Sequence, residues 1–154
     1  MRNQQSGVML LEALIAILIF SLGVLGVVGM QASAVAATRD AKYRSDAALL
    51  ANELIGQMMA GNRNGLALQT NFQGDDTDGT GGAGDVLTDG PLYIAWRTRV
   101  RDTLPGSDVN EPRVTITPRP GGPPVQSSTV DIQVRWRAPN DTGAHVFRVL
   151  VDII

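Results

Sequence analysis

Residues 6–30 read SGVMLLEALIAILIFSLGVLGVVGM. No charged residue occurs from Ala13 to Ala37, a stretch longer than the ~20 residues a helix needs to cross a bilayer. One carboxylate, Glu12, stands at the head of this run, five residues after Gly7. A charge in hydrocarbon costs roughly 2.5–3.5 kcal/mol on insertion scales, so Glu12 calls for a partner.

Beyond the apolar run the pattern changes without a break. Tyr43, Ala47, Leu50, Leu54 and Met58 recur every three or four residues, while Arg39, Asp40, Lys42, Arg44, Asp46 and Glu53 take the other faces. This is amphipathic spacing. With no proline before residue 91, the pattern predicts one helix from about Val8 to Ala60, ending near Gly61 in the segment GNRNG. Its first half is apolar all round and its second half offers a single stripe to a small domain. Gly23, Gly26 and Gly29 interrupt the first half, either softening the helix or baring its surface to a neighbouring helix.

Residues 71–91, rich in Gly and Asp, are expected to form an exposed loop. Past it the period becomes two. In LYIAWRTRV the set Ile94, Trp96, Thr98 and Val100 alternates with Ala95, Arg97, Arg99 and Arg101, and in TVDIQVRWR the set Val130, Ile132, Val134 and Trp136 alternates with polar residues. With Arg113 to Thr117 and Val146 to Ile153 these predict four strands. Turn-rich connections lacking crossover helices make the sheet an antiparallel meander. The expected fold class is α+β, with the second half of the helix covering the sheet.

Composition narrows the function. At 154 residues, 44% apolar and net charge −2, the chain has no basic cluster, which argues against nucleic acid as partner. It has no cysteine, hence no disulfide framework and no thiolate chemistry. A secretory signal is disfavoured because the apolar segment exceeds the usual 7–15 residues, only Arg2 precedes it, and no small-x-small site follows.

Candidate chemistry is sparse. His145 is the only histidine and begins a strand beside no triad motif, so a structural role is expected. Gly74 to Asp85 matches a twelve-residue calcium loop at Asp76, Asp78, Gly79 and Asp85. Glycine at the first ligand position and Asp in place of the bidentate Glu both weaken that match, and a solvated loop is the plainer reading. Asn140-Asp141-Thr142 fits a glycosylation pattern but equally fits turn chemistry. No catalytic residue, cofactor or firm metal site is expected.

A short polar leader, a glycine before an apolar residue, a glutamate at the fifth position after it and a long apolar helix together resemble the N-terminus of type IV prepilins and type II secretion pseudopilins. The resemblance implies a leader at 1–7 cut by prepilin peptidase between Gly7 and Val8, and N-methylation of Val8. It also implies a membrane or filament-core helix at 8–36 and a head at 37–154, with sheet over 92–154. Glu12 would pair with the α-amine of Val8 in a neighbouring subunit. Val8 stands where phenylalanine is commoner, and the paired cysteines and mid-helix proline are missing, which points to a minor subunit. ALLANELIGQMMAGNRNG resembles the helix end of PilV-type minor pilins, with Gly61 in an alanine place.

The implied function is that of a noncatalytic minor pilin that primes the type IV pilus at or near its tip, serving adhesion and twitching motility. Other minor pilins, the major pilin and prepilin peptidase would be its partners. It would be held in the bacterial inner membrane with its head in the periplasm, then carried to the cell-surface pilus. A minor pseudopilin and a signal-anchored periplasmic enzyme are the alternatives.

Overall fold

The computed structural model describes residues 6–74, 89–119, 127–139 and 141–154. Three helices precede three strands: α1 (Ser6–Ala60), α2 (Gly65–Phe72), α3 (Pro91–Thr103), β1 (Arg113–Pro118), β2 (Ser128–Trp136) and β3 (His145–Ile153). The strands form one antiparallel sheet in the order β1-β2-β3. This is the expected α+β layout, a long apolar N-terminal helix joined to a small antiparallel sheet. The chain divides into two compact units, Met1–Ala41 and Lys42–Ile154.

In the second unit, α1 contributes the anticipated stripe. Ala47, Leu50, Leu54 and Met58 are buried, and Tyr43 packs half-buried against the same core. Fully burying a side chain the size of Leu54 or Met58 is worth about 1.5–3 kcal/mol. Facing them are Val114 and Ile116 of β1 and Val130, Ile132, Val134 and Trp136 of β2, the inward set of each alternation. The pairing of β1 with β2 aligns Val114 with Ile132 and Ile116 with Val130, so the apolar residues of both strands share one face.

The segment expected to be the first strand is helical. Pro91 occupies the first turn of α3 with Gly90 as N-cap, where a missing N–H costs nothing and the fixed φ suits a helix. Tyr93, Trp96, Val100 and the following Leu104, spaced three, four and four, are all buried, whereas Ile94 and Thr98 of the strand reading are exposed. The polar ends of the two aromatics are satisfied. The Tyr93 hydroxyl donates to the Pro112 carbonyl at 2.6 Å and the Trp96 indole N–H to the Leu50 carbonyl at 2.9 Å, tying α3 to β1 and α1.

Two further departures concern the connections. Residues 65–72 form the short helix α2, capped when the Asn64 side chain accepts the Leu66 N–H, so positions 71 and 72 of the expected loop are helical, and its residues 75–88 lie outside the described residues. Gln69 anchors α2 to β1 by donating to the Ile116 carbonyl at 2.9 Å. Gly90 donates to the Gln73 carbonyl at 2.9 Å, and a Cβ there would meet the Asn71 carbonyl carbon at 2.3 Å, so only glycine permits this approach. After α3 the chain turns through Gly106, whose φ of +66° favours glycine.

Candidate functional site

Among the described residues the first unit is built from α1 alone. Leu, Ile, Val, Phe and Met side chains from Val8 to Val35 are 46–74% exposed on every face of the helix. An unbroken exposed apolar surface of this extent marks a membrane or protein contact. Ser21, Ser33 and Thr38 turn their hydroxyls onto the carbonyls of Ile17, Gly29 and Ala34, one turn back, so their donors are satisfied within the helix. This arrangement suits an environment without water, where backbone and side-chain donors have to be met internally. α1 is long and apolar enough to cross a membrane.

Gly7, Val8 and Glu12 all lie within α1. Four residues separate Val8 from Glu12, which places them one above the other on one face with a rise of about 6 Å. Both are exposed. Gly23, Gly26 and Gly29 also present open surface, since a Cβ added at any of them meets nothing within 4 Å. Their smallness therefore serves no packing among the described residues.

Among the described residues the second unit carries several ion pairs. Arg97 reaches Asp89 at 2.9 Å and Glu111 at 3.6 Å, while Arg101 also pairs with Glu111. The Arg97 guanidinium lies 5.6 Å from the Tyr93 ring centroid. Burial, with the Asp89 carboxylate adding to it, pushes the Tyr93 phenol well above its ordinary range. Tyr93 is thus a neutral donor at every physiological pH. Arg99 links α3 to Glu53 of α1 at 2.8 Å. On the sheet, Arg148 makes two hydrogen bonds to Asp131, at 2.9 and 2.8 Å, and these hold the Asp131 carboxyl below the usual carboxylate range.

His145 stands at the start of β3. Its ring stacks on Trp136 at 5.5 Å with planes 15° apart, and Nε2 lies 2.8 Å from Asp141. Among the described residues no group of His, Cys, Asp or Glu could hold a metal ion. The calcium candidates Asp76, Asp78 and Asp85, and the glycosylation candidate Asn140, lie outside the described residues.

One surface had no counterpart in the sequence reading. β3 is an edge strand whose outward residues include exposed Val146 and Leu150, followed by exposed Ile154. Its signal in HVFRVLVDI is apolar residues at both odd and even positions, unlike the one-sided alternation of β2. No protein-family model, curated protein or solved structure matches the chain.

Proposed function

We propose that this protein is a minor subunit of a type IV pilus, released from its leader by prepilin peptidase between Gly7 and Val8 and methylated on the new Val8 amine. The observation that carries the reading is the first half of α1, exposed and apolar on every face, with the lone carboxylate Glu12 at its head. Such a helix exchanges lipid for neighbouring helices at little hydrophobic gain, because both surroundings are apolar. Close packing and polar contacts then set the register. The freed α-amine of one subunit against Glu12 of the next compensates a charge that is costly alone in an apolar core. Gly23, Gly26 and Gly29 supply bare backbone for close helix approach.

In this reading the head, with its helices and three-stranded sheet, selects partners among the other pilins. Function is assembly, not catalysis. The subunit waits in the bacterial inner membrane with its head in the periplasm and leaves it when incorporated near the pilus tip.

The test is the amount of pilin sheared from cells deleted for this gene, with a complemented strain as control. A large loss restored by complementation is the expected result. Unchanged pilin with a loss of secreted proteins would overturn it in favour of a type II pseudopilin. An uncut N-terminus in cells with active prepilin peptidase would instead indicate a signal-anchored protein. Mass spectrometry of the purified subunit reads this directly, since an N-methylated Val8 terminus is expected.

A further inference from the structure

The outer edge of β3 is unpaired among the described residues, since β3 hydrogen-bonds only to β2. A bare edge is a template for another strand, and proteins usually blunt it with lysine, proline or a bulge. β3 has no lysine, proline or bulge. Its two charges are satisfied across the sheet: Arg148 bonds Asp131, while Asp152 accepts from Thr129 at 2.8 Å and pairs with Arg119 at 3.3 Å. Between and beside these charges lie exposed Val146, Leu150 and Ile154. On the core side Phe147, Val149 and Val151 are only half-buried, so core packing stops short at this strand.

The order of charges along the strand selects the occupant. We propose that two copies of this chain pair edge to edge through β3, antiparallel about a two-fold axis at Leu150, so that Arg148 of each copy faces the partner's Asp152. In this register Leu150 meets its own counterpart and Val146 meets the partner's Ile154. On the core side Phe147 meets Ile153 and Val149 meets Val151. Every apolar residue faces an apolar residue and every charge faces its opposite. The neighbouring symmetric registers fail this test. Centring on Arg148 or Asp152 opposes like charges, and centring on Val149 or Val151 sets both charges against apolar side chains. Directly opposed like charges destabilise a strand pair and opposite charges support it. The result is an isologous interface that closes on itself and joins two three-stranded sheets into one of six strands. The inference goes beyond the pilus reading and does not depend on it.

The absence of cysteine makes the test direct. Opposed Cβ atoms in an antiparallel pair lie ~4.5–5.5 Å apart, near the ~3.5–4.5 Å of a disulfide. The full chain carrying Leu150→Cys, oxidised in detergent micelles, is expected to give a covalent dimer in high yield. Leu66→Cys, at a still more exposed position on α2, should stay monomeric. Leu150→Lys, which alters only an exposed side chain, should weaken dimerisation roughly tenfold or more by light scattering while the circular dichroism spectrum stays unchanged. Three results would overturn the proposal: no cross-link at position 150 in a folded chain, equal cross-linking at position 66, or a dimer indifferent to Leu150→Lys. The first would mean that another part of the chain or a different protein covers the edge. The second would mean random collision, and the third association through α1.

Discussion

The two halves of α1 are made of similar side chains and meet opposite fates. From Val8 to Val35 the large apolar residues are exposed, the least of them Val24 at 46%. From Ala47 to Met58 one stripe is buried, with Leu50 the most accessible of its four members at 6%. The helix geometry is the same in both. What differs is whether the chain returns to cover the surface. The sheet and α3 come back over the second half, so its stripe becomes core. The described residues bring nothing back over the first half, which stays an exposed apolar surface long enough to cross a membrane.

The contrast is sharpest for substitutions in the covered half and its lid. Trp96→Ala removes a fully buried ring and its bond to Leu50, and is expected to cost about 3–5 kcal/mol. Denaturant unfolding of the full chain in detergent, followed by the near-ultraviolet signal of the head, checks this. Leu54→Ala should cost about 2–5 kcal/mol in the same measurement. Tyr93→Phe, which deletes one buried hydroxyl and leaves the Pro112 carbonyl short of its donor, should cost about 1–3 kcal/mol.

Smaller effects probe the surface. Asp131→Asn should lower head stability by about 0.2–1 kcal/mol at pH 7, the range of solvent-facing pairs. Because Arg148 depresses the Asp131 pKa in the folded state, the native carboxylate takes up a proton less readily than the unfolded chain does. Acid therefore favours unfolding at this site. The difference between wild type and variant is expected to be full above about pH 4 and to vanish as the pH falls below it. Thermal melts across that window give the comparison. Leu18→Ala, in the uncovered half, should change head stability by no more than about 0.5 kcal/mol while impairing assembly. A destabilisation as large as that of Leu54→Ala would show that the first half of the helix does pack within its own chain and would break the comparison.

Much of this was legible beforehand because the signals were long or one-sided. An uncharged run of two dozen residues admits few readings, and the stripe from Tyr43 to Met58 sustains one period over more than four turns. From Thr129 to Arg137 polar and apolar residues alternate without exception. The segment after Pro91 was misread because it satisfies two templates. Trp96 and Val100 belong both to a period of two and to a spacing of four, and the decision rests on Tyr93 and Leu104 against Ile94 and Thr98. Pro91 after Gly90 was the available helix-start signal. α2 was harder, since eight residues make a marginal helix that depends on its Asn64 cap and its tie to Ile116.

The candidate site divides the same way. Gly7, Val8 and Glu12 are consecutive enough in the chain that their arrangement follows from helix geometry alone. The meander order already puts the last strand, β3, at an edge, but which of its side chains stay exposed could not be seen, because that depends on what packs against the sheet.

The amino-acid sequence by itself determined that the chain begins with a long apolar helix headed by a single carboxylate, continues as an amphipathic helix and finishes in antiparallel strands. Local periodicity and the absence of proline suffice for that. Only the tertiary structure decided that residues 91–103 coil instead of extending, that Trp96 spends its indole N–H on the Leu50 carbonyl, and that Val146 and Leu150 of β3 stay exposed. These depend on which surfaces meet. Burial rewards whichever conformation places the largest side chains against a partner with their polar atoms satisfied, and that partner is remote in the chain.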